Sequence, residues 1–187
     1  KVCILSDSHD HIPLINAAVA DAKALGAEAV LHAGDLVAPS TLHCLQQYEL
    51  PVHVIHGNNT GDLHALTRLA HKPGSVVRYH GMDAGIELHG KMIFIVHYPH
   101  YANAMAATGD WDIVCCGHSH KVEINQHTNC RGETTWVVNP GTIGGVGTAP
   151  ATWILGDLEA MTFEVHEVAK NIEYHGIKAD PAKGNSA

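Results

Sequence analysis

The chain has 187 residues, of which 45% are hydrophobic and 16% charged, and its formal net charge is −8. This composition is typical of one globular domain and excludes an intrinsically disordered chain. The acidic balance argues against a surface for long nucleic acid or anionic membranes, but bound cations would still attract a small phosphorylated substrate. Histidine is unusually abundant, at 17 residues. Because imidazole is the commonest metal ligand, this abundance favours metal chemistry.

The cysteines and the apolar segments exclude several classes of protein. The 5 cysteines contain no Cys-x-x-Cys pair, so the sequence predicts neither a disulfide framework nor a structural zinc site. No apolar stretch reaches the roughly 20 residues that a membrane span needs. No signal peptide is visible either. We therefore expect a cytoplasmic protein that does not bind membranes.

In chain order, the first half alternates apolar runs with helical patterns. Strands are predicted over residues 2–6, 29–32 and 52–55. A helix over 13–25 should end at Gly26, because glycine adopts the left-handed conformation that closes helices. Ser40 is the predicted N-cap of a second helix, over 40–48. This alternation indicates a parallel sheet.

The second half is richer in strands. A hairpin is predicted around His89-Gly90-Lys91, between strands over 86–88 and 92–96, and a helix near 102–107. Further strands are predicted over residues 113–116, 122–124, 135–138, 152–155 and 162–168. Together these patterns predict one α/β domain over residues 1–168, in which a mixed pair of sheets is covered by helices. A polar tail is predicted over 169–187.

Polar side chains follow five of the predicted strands directly. They are Asp7, His9, Asp35, Asn58, His97, His118 and His120. In an open α/β sheet, ligand-binding groups gather outside the carboxyl ends of the strands, so we expect these side chains to share one crevice. Oxygen and nitrogen ligands without thiolate suit Mn²⁺, Zn²⁺, Fe or Ni rather than Ca²⁺ or an iron–sulfur cluster. His97 is preferred to His100 as a ligand because it directly follows an apolar run.

Each of these motifs has a simpler explanation when it is taken alone. Gly-Asp and Gly-Asn are common turn dipeptides, and a lone histidine is often a core residue. The ordered appearance of all the motifs at strand ends is what favours a metal site.

The order Asp-x-His, Gly-Asp, Gly-Asn, His and Gly-His-x-His resembles the signature of the calcineurin-like metallophosphoesterase superfamily. Three segments resemble its small bacterial and archaeal phosphodiesterase branch: Ser6-Asp7-Ser8-His9, His32-Ala33-Gly34-Asp35 and Asn139-Pro140-Gly141-Thr142. The resemblance extends over residues 2–168 and implies an αββα sandwich of two mixed β-sheets flanked by helices.

The resemblance also implies a role for each motif residue. Asp7, His9 and His120 would hold one divalent metal ion. Asn58, His97 and His118 would hold a second, and Asp35 would bridge the two. Manganese is the favoured metal, with zinc, iron or nickel as alternatives.

The implied reaction is hydrolysis of a small phosphodiester, or a phosphomonoester, by attack of a metal-bridging hydroxide. The ligands expected to act in catalysis are Asp35, Asn58, His97 and His118. Small relatives often form dimers or tetramers, so a homo-oligomer is expected.

The sequence departs from the pattern of the superfamily at the position of the general acid. Asn59 stands where many relatives have a histidine that is assigned as the general acid. An amide cannot donate a proton at neutral pH, so we expect a preference for good leaving groups or a substitute donor. The candidate donors are His11, His56 and His100.

Substrate contacts are predicted at Asn59, His100 and Asn139. For Asn139, orienting a metal ligand or the Pro140-Gly141 turn is an equally good interpretation. Asp10 either touches substrate or begins the following helix. The loops expected to select the substrate are 59–83 and 100–111.

Two functions of other classes compete with the enzyme. A protein-interaction scaffold of the same fold usually has eroded metal ligands, whereas every ligand position is intact here. A histidine-rich metal sensor is less favoured, because the remaining histidines show no spacing typical of ligands.

Overall fold

The computed structural model describes residues 1–169, which form two β-sheets between layers of helices. The first sheet contains β1 (Val2–Leu5), β2 (Ala29–His32), β3 (Val52–Val54), β4 (Val77–Tyr79), β10 (Ala151–Asp157) and β11 (Thr162–Val168). The second contains β5 (Asp83–Leu88), β6 (Lys91–Val96), β7 (Ile113–Cys115), β8 (Val122–Thr128) and β9 (Thr134–Pro140). The helices are α1 (Ile12–Ala24), α2 (Pro39–His43), α3 (Leu63–Ala70) and α4 (Pro99–Ala107), with a 3₁₀ helix at Cys44–Tyr48.

Both sheets combine parallel and antiparallel strands. In the first sheet the four neighbouring strands β1, β2, β3 and β4 are parallel. On the other side of β1, β10 pairs antiparallel with β1, and β11 pairs antiparallel with β10. In the second sheet β6, β7 and β9 are parallel, and β5 and β8 are antiparallel edge strands. Because parallel strands end at the same edge, the turns that follow β1, β2 and β3 are neighbours.

Strand β1 explains why the apolar runs are continuous rather than alternating. Val2 and Ile4 pack between the two sheets, whereas Cys3 and Leu5 pack on the opposite face. Successive strand residues face opposite sides, so a strand that is covered on both faces is apolar throughout. Helix α1 covers the outer face of the first sheet and α4 that of the second. The predicted αββα sandwich is therefore confirmed.

Two predicted boundaries are confirmed in detail. Gly26 has a φ of +92°, and its N–H bonds to the carbonyl of Lys23, while the N–H of Ala27 bonds to the carbonyl of Ala22. This is the Schellman arrangement that ends α1. His89 and Gly90 both have positive φ and connect β5 to β6 as a two-residue hairpin.

The prediction that Ser40 caps the second helix is wrong. Helix α2 begins at Pro39 with Ala38 as its N-cap residue, and no side chain of α2 caps it. The N–H of Ala38 instead bonds to the distant carboxylate of Asp10. A sequence pattern detects caps from neighbouring residues, whereas the acceptor at the start of α2 is Asp10, which lies in the turn after β1.

Helix α3 and strand β4 were not predicted, although both lie in the loop region 59–83. Asp62 caps α3, because its Oδ1 accepts a hydrogen bond from the N–H of Ala65 at 2.8 Å. An Asp before leucines at helical spacing was the available signal. Strand β4 has three residues, which is too short for a periodic pattern.

The predicted polar tail over 169–187 lies, except for Ala169, outside the described residues. Among the helices of residues 1–169, none combines the length and the apolar character that crossing a membrane requires.

Candidate metal centre

The ligand-bearing turns begin where the strands end, and their backbones are unusual. Asp7 follows β1, Asp35 follows β2, Asn58 follows β3, His97 follows β6 and His118 follows β7, each within a few residues. Left-handed φ values between 42° and 67° occur at Asp7, His9, Asp35, His118 and His120. Non-glycine residues adopt this region at an energetic cost, and residues that do so cluster at functional sites.

The first group of side chains contains Asp7, His9 and His120. Nε2 of His120 lies 3.2 Å from Oδ1 of Asp7 and 3.4 Å from Nε2 of His9. The ligand atoms of this group all lie within 4.8 Å of one another. Oδ1 of Asp7 is buried without a hydrogen-bond donor. A buried carboxylate oxygen needs a compensating charge or donor, and a cation held among these atoms would supply it.

The second group contains Asn58, His97 and His118. Oδ1 of Asn58 lies 3.0 Å from Nε2 of His97 and 2.8 Å from Nδ1 of His118. Nδ1 of His97 lies 2.8 Å from the carbonyl of Ala33, to which it donates, so Nε2 of the neutral ring carries a lone pair. Two lone-pair acceptors therefore face each other here, which fits a shared cation.

Asp35 contacts both groups. Its Oδ1 lies 3.3 Å from Nε2 of His97, and its Oδ2 lies 3.7 Å from Nε2 of His9. Asp7 lies close to Asp35, and the potential ligand atoms of Asp7, Asp35 and His97 all lie within 4.8 Å of one another. Both carboxylates are buried, with 0% and 2% exposure. All seven predicted ligand side chains thus converge on one site.

Three glycines allow this convergence. A Cβ at Gly57 would overlap the carboxylate of Asp35 and lie 2.8 Å from Cε1 of His97. A Cβ at Gly34 would lie 2.6 Å from Nδ1 of His97, and one at Gly117 would overlap Ser6 and Asp7. The glycines beside the ligands are therefore required by close packing as well as by turn geometry.

Comparison with known proteins identifies the family. Residues 1–161 match the model of the calcineurin-like phosphoesterase superfamily domain. The chain belongs to this superfamily. It is similar to a phosphodiesterase of Methanocaldococcus jannaschii, with 26% identity over 172 residues, which are 90% of this chain and 98% of that protein.

Solved structures of known proteins show the same fold. An archaeal phosphodiesterase superimposes with a TM-score of 0.80 at 23% identity, over 89% of this chain and 99% of that one. Vps29 of Entamoeba histolytica, solved in complex with zinc, superimposes with a TM-score of 0.60 at 17% identity, over 89% and 97% of the two chains. Membership of a metallophosphoesterase family implies divalent metal ions, and the oxygen and nitrogen atoms of the two groups are suitable ligands for them.

In this superfamily member, two of the predicted substrate contacts are engaged with the protein. Asn59 donates its N–H to Oδ1 of Asp35 at 2.9 Å and its amide to Oδ2 at 2.5 Å, so it orients that carboxylate. Asn139 is fully buried, and its amide donates to the carbonyl of Gly117 and to Ser119 Oγ. This burial favours the interpretation that Asn139 orients the turn that carries His118.

His100 lies on the first turn of α4. Its ring packs against Tyr98 and Tyr101, with centroids 5.6 and 4.2 Å apart. Tyr98, which sequence reasoning missed, makes the closer contact with the centre. Its ring meets His97 and His118 edge-on, with centroids 5.2 and 4.9 Å apart. Tyr98 therefore restrains the orientation of two imidazoles, and its position directly after His97 was the available signal.

Asp10 joins two of the ligand turns. Its carboxylate accepts hydrogen bonds from the N–H groups of Val37 and Ala38 and from the hydroxyl of Thr41, at 2.8 to 3.1 Å. Asp10 is adjacent to His9, and the loop that it holds begins directly after Asp35. Of the two predicted roles, these bonds support a structural one, although the helix that Asp10 caps is α2 rather than α1.

We expect Asp10→Asn to weaken metal binding by about 10- to 100-fold, which is the typical effect of losing an outer partner of metal ligands. An amide group would present a donor to the N–H of Ala38, so the spacing between His9 and Asp35 would change. Calorimetric titration of metal-stripped protein with Mn²⁺ measures the affinity. Asp21→Asn, at an exposed carboxylate on α1, is the matched control. Equal affinities in both variants would contradict the role of Asp10.

His32 makes stability depend on pH. The side chain is fully buried, and its Nδ1 accepts a hydrogen bond from the N–H of Gly34 at 3.3 Å. Burial, with a further contribution from the nearby His97, lowers the pKa of His32 from 6.5 to about 4. Below about pH 6.5 the unfolded chain binds a proton at His32 that the folded chain does not, so stability falls as pH decreases towards 4.

From about pH 7 to about pH 5, we expect His32 to account for a loss of about 2 kcal/mol in the free energy of unfolding. His32→Asn keeps an acceptor for the N–H of Gly34 but does not titrate. Over the same pH change, the free energy of unfolding of the variant should therefore fall by about 2 kcal/mol less than that of the wild type. Urea unfolding of both metal-stripped proteins at the two pH values measures the difference. The same pH dependence in both proteins would show that His32 has no such effect.

Proposed function

We propose that this superfamily member is a phosphoesterase that uses two divalent metal ions to hydrolyse a small phosphodiester. The supporting observation is the convergence of seven side chains with oxygen or nitrogen ligand atoms, two of which are buried carboxylates, at the edge where the strands of both sheets end. Family membership supports phosphate-ester hydrolysis, and the similar Methanocaldococcus jannaschii protein is a phosphodiesterase. Manganese is the metal that we favour.

Each group of side chains would hold one ion. Asp7, His9 and His120 would hold the first, and Asn58, His97 and His118 the second. Asp35, which lies between them, would contact both. When bound, such an ion pair supplies positive charge to the phosphoryl oxygens and acidifies a water molecule that attacks phosphorus. The oxygen of an attacking water would form the new P–O bond while the ester P–O bond breaks, and the proton that this water loses would reach the leaving alkoxide by way of solvent.

The residues around the ligands keep them in position. The hydrogen bond from His97 Nδ1 to the carbonyl of Ala33 directs Nε2 into the centre. Asn59 and the backbone N–H of His118 donate to the two carboxylates, so each one retains a fixed orientation. Such preorganisation avoids rearrangement during the reaction.

The experiment that tests this proposal uses metal-stripped protein that is resupplied in turn with Mn²⁺, Ni²⁺, Zn²⁺ and Mg²⁺. We expect about two bound ions per chain by elemental analysis and metal-dependent hydrolysis of a chromogenic diester, faster than of the matching monoester. Asp35→Asn should lower both metal content and turnover, because Asp35 contacts both groups. Asp83→Asn, at an exposed carboxylate on β5, is the control for metal content.

Two outcomes would contradict parts of the proposal. Turnover that persists in Asp35→Asn would exclude the proposed centre. A bound metal pair without turnover on any ester would favour the protein-interaction scaffold of the same fold.

The position of Asn59 generates a further prediction. Its amide donates to Asp35 and cannot protonate a leaving group, and a general acid typically contributes about 10²–10⁴ in rate. We therefore expect kcat to fall steeply as the pKa of the leaving alcohol rises. A series of methyl aryl phosphodiesters with substituted phenols measures this slope. A flat dependence would instead reveal a substitute donor, for which His56 and His11 are the candidates to mutate.

A further inference from the structure

We infer that the apolar cavity beside the metal centre binds an uncharged aromatic substituent of the phosphoester. This inference rests on the proposed function, because it assigns a substrate class to the same centre. The cavity has a volume of about 390 Å³, which lies within the usual range of pockets for small molecules.

The cavity is continuous with the metal centre. Gly57 and His97 line it, and both also belong to the turns that carry the ligands. From there it extends over Phe94 and Val96 of β6 towards Ala104 of α4. A group attached to a phosphoryl held at the metal centre would therefore enter this cavity directly.

Most side chains that line the cavity are aromatic or contain thioethers. Phe94, Tyr98 and Tyr101 provide rings, and Met82 and Met105 provide flexible sulfur-containing chains. Aromatic groups pack favourably against both kinds of side chain. Met82 and Tyr101 are 68% and 53% exposed. A bound ring would cover apolar surface of both residues and so gain hydrophobic free energy.

The charged groups at the cavity disfavour an anionic substituent. Among residues 1–169, its lining contains no lysine or arginine, and it includes the exposed carboxylate of Asp83. A second phosphate or a carboxylate in this place would lose hydration without gaining a cationic partner. The substituent is thus an uncharged ring, such as an aryl group or a nucleobase, rather than a second phosphate.

Direct binding tests the cavity without any reaction. Benzyl alcohol and its saturated analogue cyclohexylmethanol are titrated into metal-stripped protein and followed by NMR. We expect benzyl alcohol to shift resonances of Phe94 and Tyr101 and to bind more tightly than its analogue. Ala104→Glu, which places a charge at an exposed lining position of α4, should weaken binding about tenfold.

Ala107→Glu is the matched control, because Ala107 is an exposed alanine of the same helix that does not line the cavity. It should bind benzyl alcohol as the wild type does. Tyr101→Ala provides a second, independent change in the lining, with the same expected direction as Ala104→Glu. Thermal unfolding of each variant verifies that it is folded.

Kinetics then test the link to the substrate. Phenyl 4-nitrophenyl phosphate and methyl 4-nitrophenyl phosphate release the same leaving group, so they differ in the second substituent alone. We expect the ratio of their kcat/KM values to fall about tenfold in Ala104→Glu and to stay unchanged in Ala107→Glu. Comparing the ratio between variants cancels the intrinsic reactivities of the two esters.

The outcomes separate the two proposals. Benzyl alcohol that binds no better than cyclohexylmethanol, or equal effects of the two glutamate variants, would overturn the inference. Absence of turnover with every metal would contradict the proposed function, while the NMR titration would still decide what the cavity binds.

Discussion

Two carboxylates are buried among imidazoles, and the rest of the centre follows from that electrostatic constraint. Asp7 and Asp35 are almost inaccessible to water, and the donors that reach them are the backbone N–H groups of His118 and Asn59 and the amide of Asn59. Oδ1 of Asp7 has none. Burying a carboxylate is expensive unless charge or hydrogen bonds compensate. A fold that places both together with lone-pair nitrogens is organised to bind cations.

The surrounding backbone is shaped to bring these groups close. Left-handed turns at the ligands, glycines without room for a Cβ and the bonds made by Asp10 all shorten the distances between strand ends. Each of these features either costs conformational free energy or restricts which residue can occupy the position. Together they hold ligands from both sheets within a few ångströms, which is the preorganisation that a metal centre requires.

The same fold supports different functions in different proteins, so the parts outside the ligands decide specificity. The superfamily identifies the class of chemistry here, and the described relatives include a phosphodiesterase and Vps29. In this chain two such features lie beside the candidate ligands. Asn59 binds back to Asp35, and a largely apolar cavity opens next to His97. Under the proposed function, both features would concern the ester substituents rather than the phosphoryl group.

The sequence alone determined the αββα sandwich and which polar side chains follow its strands, because buried strands and the polar residues after them are local patterns. It also predicted the helix end at Gly26, which is a local backbone requirement. Tertiary structure decided the role of Asp10, because its hydrogen-bond partners lie about a whole strand–helix unit away along the sequence. It also decided the burial of Asn139. It also decided the cavity, which forms where α4 meets β6 and the turn after β3. These features depend on contacts between distant segments, and no local pattern encodes which segments meet.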